Sequence, residues 1–567
     1  MSKYKVGLFG GFCRFMPDEF FLTNYQQENQ MKLTQNLSVG SVNTLSHLAH
    51  YQADPLAVYQ YLCADTNNSL LLESAEIDKK HKLKSLVLTD TAVKIVCQGH
   101  QVTLTAQSLN GQAALAFAEQ VLTGIAKLEK TNNSLVATFT PADSQQDEKS
   151  RLKTVNSFHA LRLFNQLNNL DNHPFAIFLG GAFAFDMMST CEVLPAVKDG
   201  ENTCPDYVYY LAETLIVIDH ENETSEVIGN VFSGPEQATC VSQINERIES
   251  IKQALASDVS FKLDKQAVTA VSSEVTTDIS DQDFCQIVED LKEHIRAGDI
   301  FQVVPSRTFS LPCPAPLAAY QALKISNPSP YMFYIHDEDF VMFGASPESA
   351  LKYQTSNRQI EIYPIAGTRK RGFDANGKFS LDLDSRIELE LRQDKKELAE
   401  HIMLVDLARN DVARVSEPGS RYVADLLKVD RYSHVMHLVS RVCGTLSHDL
   451  DALHAYQACM NMGTLSGAPK VKATELIRQF EGKRRGSYGG AVGYITGTGE
   501  MDNCIVIRSA FVKDGIAQVQ AGAGVVYDSI PQAEADETRQ KAQAVLSAIM
   551  KVANDAASNQ NTDGKGA

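Results

Sequence analysis

The sequence predicts an α+β fold, with antiparallel strands and amphipathic helices interleaved along one long chain. Three observations predict it. Two apolar, β-branched runs, 504–512 and 516–521, flank Asp514-Gly515, a strong two-residue hairpin signal. Residues 86–104 alternate like strands of a meander, with breaks at Thr89-Asp90 and Gly99-His100. Helical periodicity is plain over 281–297, closed by Gly298, and strongest over 394–409.

Length and composition bound what such a chain can do. Its 567 residues suffice for two or more ordinary domains or one large elaborated one. With 44% hydrophobic and 21% charged residues it has the make-up of a globular protein. A net charge of −17 argues against a broad surface for nucleic acid or anionic membrane, although a few local arginines could still grip a small anion. No apolar run approaches the roughly 20 residues of a membrane helix. The first residues resemble a signal peptide only weakly, because Gly10-Gly11 and Arg14 interrupt their apolar part. Eleven cysteines, odd in number and without a C-x-x-C pair, suit reduced thiols in a cytoplasmic protein. Tryptophan is absent beside 19 Tyr and 25 Phe; chance explains this by default, and a chain needed when tryptophan is scarce would also benefit.

In chain order, 1–34 is an extension without an assigned role, and Met31 is a second candidate start. Leu70, Leu71 and Leu72 form a buried strand ending in a polar turn at Glu73 and Ser74. An ordinary strand exit accounts for that turn, as does a carboxylate and hydroxyl poised for an ammonium group. A helix is expected over 113–130, a polar loop over 132–149, and a buried segment kinked at Gly180-Gly181 over 175–185. A strand at 208–219 and a helix at 236–256 follow. The polar stretch 257–279 marks the main boundary, between a domain at 35–270 and another at 271–555, with a disordered tail at 556–567.

Beyond it, a strand at 300–304 carries Gln302 and leads to Arg307. Two prolines stiffen 327–332. Glu348 stands at a strand end, and a strand at 360–367 runs into Thr368 and the basic Arg369-Lys370-Arg371. In the 394–409 helix Leu398, Ile402 and Val405 make the apolar stripe, and Glu397, Glu400 and His401 share another face. A strand at 432–442 carries His437 and Arg441 on one side.

Counting outward from Asp514-Gly515 sets Arg508 opposite Ala521, beside Gly522-Ala523-Gly524. Glycines admit a ligand close to the backbone and arginine grips carboxylates, although a strand-edge arginine paired with any acid fits equally well. Pro531 suits a first helical turn, and Glu534 and Glu537 then share a face. Two E-x-x-E pairs, 397/400 and 534/537, read either as solvated faces or as one shared metal site. Oxygen ligands without paired histidines or thiolates would suit Mg²⁺ over zinc. Nucleotide readings fail: 463–470 lacks P-loop spacing, and Tyr527 stands where a dinucleotide fingerprint needs its third glycine.

The motifs LLLESAE, NPSPYM, FGASPE, YPIAGT, ELAEHIMLVDLARND, MNMGTLSGAPK, GSYGGAVGY, IVIRS, AGAGVV and EADET occur in family order. On them the chain from about residue 36 to 552 resembles the chorismate-utilising enzymes, and most closely those that form anthranilate. The resemblance implies two facing antiparallel sheets flanked by helices, and conversion of chorismate plus ammonia to anthranilate and pyruvate with Mg²⁺. It assigns Glu400 and Glu537 to the metal, with Glu397 and Glu534 completing the shell. It assigns Tyr488, Arg508 and the backbone of Gly522, Ala523 and Gly524 to the enolpyruvyl carboxylate, with Gly367 and Thr368 lining the site. Glu348 matches the family's general acid, and His437 the histidine of the aromatising step, with Thr464 nearby. Gln302 stands where isochorismate-forming members carry a water-activating lysine, and Ala366 where aminodeoxychorismate synthases typically carry lysine; both departures favour anthranilate formation. No glutaminase nucleophile is present, so ammonia would come from solution or from a separate glutamine amidotransferase subunit, in a heterotetramer of two large and two small subunits. Glu73, Ser74, Lys84, Asn327, Pro330, Tyr331, Met332 and Cys504 match a tryptophan feedback pocket. The alternatives are an aminodeoxychorismate, isochorismate or salicylate former, or a tryptophan-binding regulator without catalysis.

Overall fold

The computed structural model describes residues 39–74, 83–143, 145–262, 274–374, 377–432 and 435–563, with the backbone alone for 555–563. The extension 1–34 and residues 564–567 lie outside the described residues, and the helix Pro531–Asp563 runs on through the stretch expected to be tail.

Strand alternation decides the layers. In Ser69–Glu73, Leu70 enters one core and Leu71 another. In the long strand Lys84–Gln98, Leu86 and Leu88 join the core of Leu70, and Val87 that of Leu71. Val93, Ile95 and Cys97 enter a third core. Pairing with Tyr207–Asp219 slips between Leu88 and Val93, so a bulge there turns both strands from one layer to the next. Thr89-Asp90 is therefore a corner inside one strand, which corrects the expected break; Gly99, at φ 61°, makes the actual turn.

Across the middle core Phe333, Met342 and Phe511 on one side meet Phe178, Val208 and Val492 on the other. Two sheets thus pack face to face, as expected. Helices Gln237–Ala254, Pro316–Ser326 and Pro531–Asp563 cover one outer face, and Leu109–Leu122, Lys395–Ala413 and Ala452–Cys459 the other. Among the described residues, hydrogen bonds link 23 strands into one continuous ladder, antiparallel except where Ser41–Ala49 meets Asn168–Asn169.

The expected boundary does not divide two cores. Ser69–Glu73 pairs with Tyr331–His336, and Phe178–Phe183 with Ala491–Thr496, so both halves complete each other's sheets. Residues 263–273 of that boundary lie outside the described residues.

Local departures have local causes. The helix expected over 113–130 begins at Leu109 and ends at Leu122, where Thr123 turns extended. Lys127–Lys130 and Ser134–Thr138 then form a hairpin, because Leu135 and Ala137 alternate inward. Phe178–Phe183 runs unbroken through Gly180-Gly181, since a Cβ on Gly181 would lie 2.1 Å from the Val208 carbonyl oxygen. The strand at 300–304 shrinks to Gln302–Val303. Pro364, which has no N–H, splits the strand at 360–367 into Gln359–Ile362 and Ile365–Lys370. Lys395–Ala413 buries His401, Leu404, Val405, Ala408 and Val412, while Ile402 stays 45% exposed. His401 takes the inward position that the expected stripe gave to its neighbour, bonded to the Ala366 carbonyl at 3.1 Å and Ser440 Oγ at 2.7 Å. The helix Leu381–Gln393 and the strand Tyr422–Arg431 carry no signal strong enough to be expected. Asp281–Ala297 ends as expected on a left-handed Gly298, at φ 83°.

Two glycine-to-alanine changes should separate close packing from backbone conformation. Gly298→Ala meets nothing within 4 Å and should cost about 1 kcal/mol for its left-handed backbone. Gly181→Ala should cost about 3 kcal/mol or more, because two strands would have to part. Urea denaturation of both variants measures the difference.

Candidate active site

The cavity at one edge of the sandwich measures about 690 Å³, and both E-x-x-E pairs line it. Glu397 and Glu400 come from Lys395–Ala413, whose N-cap Asp394 accepts from the Lys396 and Glu397 amides. Glu534 and Glu537 come from the opening turns of Pro531–Asp563. Two of these carboxylates have cationic partners: Glu397 accepts from Arg369 at 2.7 Å, and Glu537 pairs with Lys541 at 2.6 Å. The other two have neutral neighbours. Gln302 Nε2 donates to Glu400 Oε1 at 2.8 Å, and Ser529 bonds Glu534. Burial and then the nearby Glu397 and Glu537 push the Glu400 carboxyl upward, and burial does the same for Glu534. Lys396 and Lys541 answer these two acids only in part, and the cluster's hard oxygen donors suit a divalent cation such as Mg²⁺. In this arrangement the four carboxylates are splayed onto their separate partners. Among the described residues, the only group of three or more acids whose oxygens already lie together is Asp337, Glu338 and Asp339, where Lys94 answers Asp337 and Glu338.

Arg508 faces the same cavity, although not from a strand. The run 504–512 breaks into Met501–Ile505 and Ser509–Lys513, and Arg508 lies in the bend between them at φ 50°. The hairpin register holds as expected from Lys513↔Ile516 to Phe511↔Gln518. The residue hydrogen-bonded across from Ala521 is Arg307 of Ser306–Pro312. A left-handed non-glycine residue is strained, and here the bend turns the guanidinium inward. It makes no ion pair or side-chain hydrogen bond with the described residues, and burial lowers its pKa. Tyr488 stands near it, its phenol pushed up to about 12 by burial. A Cβ on Gly522 would lie 3.2 Å from the Tyr488 hydroxyl, and one on Gly524 would lie 2.8 Å from Gln302 Nε2. Only glycine leaves those groups in place. Ala523, by contrast, is fully buried and does not line the cavity.

Glu348 projects from the turn after Val341–Ser346 and is buried. Burial pushes its carboxyl up to about 8 despite the opposing Thr464, Lys541 and Arg508. The Thr464 hydroxyl lies near enough to oppose that shift, yet it is buried without a hydrogen-bond partner of ordinary length. His437 shares a 2.9 Å hydrogen bond between Nδ1 and Thr368 Oγ1. Burial and the Arg508 charge hold its pKa down to about 4, so the ring is neutral at neutral pH. Gly367, at φ 90°, lets the backbone pass Glu397.

The second set of residues gathers elsewhere. Glu73 pairs across strands with Met332, and Tyr331 donates to Asp502 at 3.1 Å beside Cys504. Ser74 Oγ is buried and unpartnered. The Glu73 carboxylate is engaged by Lys324 and the Tyr320 hydroxyl, each at 2.7 Å. Lys84 leans toward Asp219 at 3.7 Å and over the Phe175 ring. Asn327 and Pro330 lie half-buried in the loop before Tyr331–His336.

Two groups escaped the sequence reading, one lining the cavity and one packed behind its wall. Lys541 lies four residues past Glu537, a spacing that could have revealed it, and also donates to the Gly522 carbonyl at 3.0 Å. Arg485 lies buried under Tyr488 and Phe185, bonded to Glu481 and to the carbonyls of Leu465 and Val304. Nothing in RRGSYGG says which of its two arginines turns inward.

The family described as chorismate binding enzyme matches residues 42–547. Anthranilate synthase component 1 of Vibrio cholerae is 61% identical over 503 residues, covering 88% of this chain and 95% of its own. The Escherichia coli protein of that name is 56% identical over 500 residues, with the same two coverages. The crystal structure of anthranilate synthase component I from Streptococcus pneumoniae aligns with a TM-score of 0.61 at 29% identity, over 83% of this chain and 95% of that one.

A protonated Glu348 should be visible directly. Infrared difference spectra between the natural chain and Glu348→Gln should contain a carboxylic-acid carbonyl band at neutral pH, lost as pH rises through about 8. An ionised carboxylate band at pH 6 would contradict the assignment.

Proposed function

Taking as premise that this chain belongs to the chorismate-binding enzymes, we propose that it is the synthase subunit that forms anthranilate and pyruvate from chorismate and ammonia. The observation that carries this reading is Glu348, a buried acid held protonated in the cavity that also holds an unpaired guanidinium and an acidic cluster.

Arg508, the Tyr488 hydroxyl and the backbone at Gly522 grip the enolpyruvyl carboxylate. Glu400 and Glu537, with Glu397 and Glu534 behind them, would hold Mg²⁺, which when bound supplies positive charge for the ring carboxylate. Gln302 helps to hold Glu400 in place and, being a neutral amide, cannot activate water. Glu348 gives its proton to the hydroxyl leaving ring carbon 4 while ammonia bonds to carbon 2. With Nδ1–H donated to Thr368, His437 keeps Nε2 free to take the carbon 2 proton as pyruvate leaves and the ring aromatises. Substrate carboxylate at Arg508 cancels the charge that depresses His437 and so makes it a better base.

The relatives' designation as component 1 supports a second component; we propose, as the family resemblance implies, that it hydrolyses glutamine to supply ammonia, in an assembly of two large and two small chains. The ten described cysteines, all unpaired, support the cytoplasmic setting that we propose, and among the described residues no helix is long and apolar enough to cross a membrane. Tryptophan feedback at Glu73, Ser74 and Met332 is supported by the buried, unpartnered Ser74 hydroxyl between the two halves.

Purified chain with chorismate, Mg²⁺ and ammonium salt should produce anthranilate fluorescence; isochorismate or aminodeoxychorismate instead would reassign the branch, and no turnover would favour a binding protein. Glu348→Gln should lower kcat by about 10²–10⁴-fold. At constant free ammonia, kcat/KM should fall as pH rises through about 8, where Glu348 loses the proton it donates. Ser74→Arg should retain activity yet resist tryptophan, and an unchanged inhibition curve would remove the pocket assignment.

A further inference from the structure

Lys541 touches two walls of the large cavity at once. Its Nζ lies 2.6 Å from Glu537 Oε1, one turn back on the helix Pro531–Asp563. It also donates to the Gly522 carbonyl at 3.0 Å, at the end of the strand Ile516–Gly522. Its charge favours the ionised forms of Glu400 and Glu534, which come from different helices, and of Glu348. An i, i+4 pair on a helix is ordinarily a solvated contact of little worth. This one turns into the cavity instead, among the acids proposed to face the metal.

Arg369 on Glu397 is a different kind of partner. It also holds Asp394 at 2.7 Å and the Thr368 carbonyl at 2.9 Å, so a second acid and a backbone group fix its planar head in place. Lys541 has one acid, one carbonyl and a flexible four-carbon stem, and its side chain is 33% exposed.

We propose that Lys541 is an exchangeable internal cation, which holds the Glu537 carboxylate in the cavity and yields it to the divalent cation while keeping the Gly522 carbonyl. This deepens the metal reading given above and rests on it. Both cations need the same carboxylate. Its oxygen would lie about 2.1 Å from Mg²⁺, and an ammonium left on that group would face a double positive charge a few ångströms away. Yielding costs little, because the pair is open to water, which takes up the freed N–H. Before the exchange Lys541 offsets the repulsion between Glu400 and Glu537. After it, the bond to Gly522 keeps the ammonium in the cavity.

Calorimetric titration of the substrate-free chain with Mg²⁺ tests the exchange. Lys541→Met removes the competitor and should lower the Mg²⁺ Kd by about tenfold. Lys541→Arg keeps a cation on Glu537 and should stay within about threefold of the natural chain. Lys396→Met controls for charge alone, because Lys396 also lines the cavity and acts on Glu534 without an ion pair. Its Kd should likewise stay within about threefold. Without metal, Lys541→Met should melt below the natural chain, and saturating Mg²⁺ should close the gap. Lys541→Gln reads the same equilibrium where the methionine variant does not fold. A natural chain that binds Mg²⁺, with folded Lys541→Met or Lys541→Gln of unchanged or weaker affinity, would overturn the exchange alone, as would an equal gain in Lys396→Met. If the natural chain binds no Mg²⁺, the metal reading falls and this inference with it.

Discussion

Charge answered only in part by its neighbours, and held at fixed positions, is the constraint on which this structure turns. Two helices point four carboxylates into one cavity, and protein cations pair with only Glu397 and Glu537. Across the cavity Arg508 makes no ion pair or side-chain hydrogen bond with the described residues. Left free, such groups would swing into water or onto each other, since buried unpaired charge is costly. They stay because their backbones are anchored elsewhere. Arg307, 1% exposed, donates to the Ala535 carbonyl and Thr538 Oγ1 of one acidic helix and to Asp281 of the neighbouring helix. The other acidic helix is pinned by Asp411, in a buried ion pair with Lys470.

The sheets set the opposite wall by similar means. Ser306–Pro312 and Ile516–Gly522 run side by side, and Glu481 accepts from both the amide and hydroxyl of Ser306 while bonding Arg485. Arg485 in turn lies under the Tyr488 ring. One buried network thus ties the strand end at Gly522 to the phenol beside it. Such networks are strong when every member is satisfied, and they hold ligand-facing atoms to a fraction of an ångström. Glycine at 522 and 524 completes the wall by leaving room where any side chain would push out Tyr488 or Gln302.

Burial also divides the labour among chemically similar groups. Glu348 and Glu537 are both glutamates, yet one is buried with its carboxyl pushed up to about 8 while the other is half-exposed and salt-bridged. His401 and His437 are both buried, but His401 is spent on Ala366 and Ser440, whereas His437 keeps one ring nitrogen for the cavity. Environment, not residue type, separates acid, metal-facing group and structural filler.

The sequence by itself determined the α+β class, the hairpin at Asp514-Gly515, the helix closed by Gly298, and the set of residues from which the site is built. Those features are written locally, in turn residues, caps and side-chain period, or in motifs long enough to be recognised. Only the tertiary structure decided that Arg508 enters from a left-handed bend, that Thr89-Asp90 is a corner shared by two sheets, and that residues on either side of 257–279 complete one another's strands. It alone decided which carboxylates share a cavity and that burial pushes the Glu348 carboxyl up. Each of these depends on what lies across space and on how much water reaches the group, and neither is encoded in the spacing of neighbours along the chain.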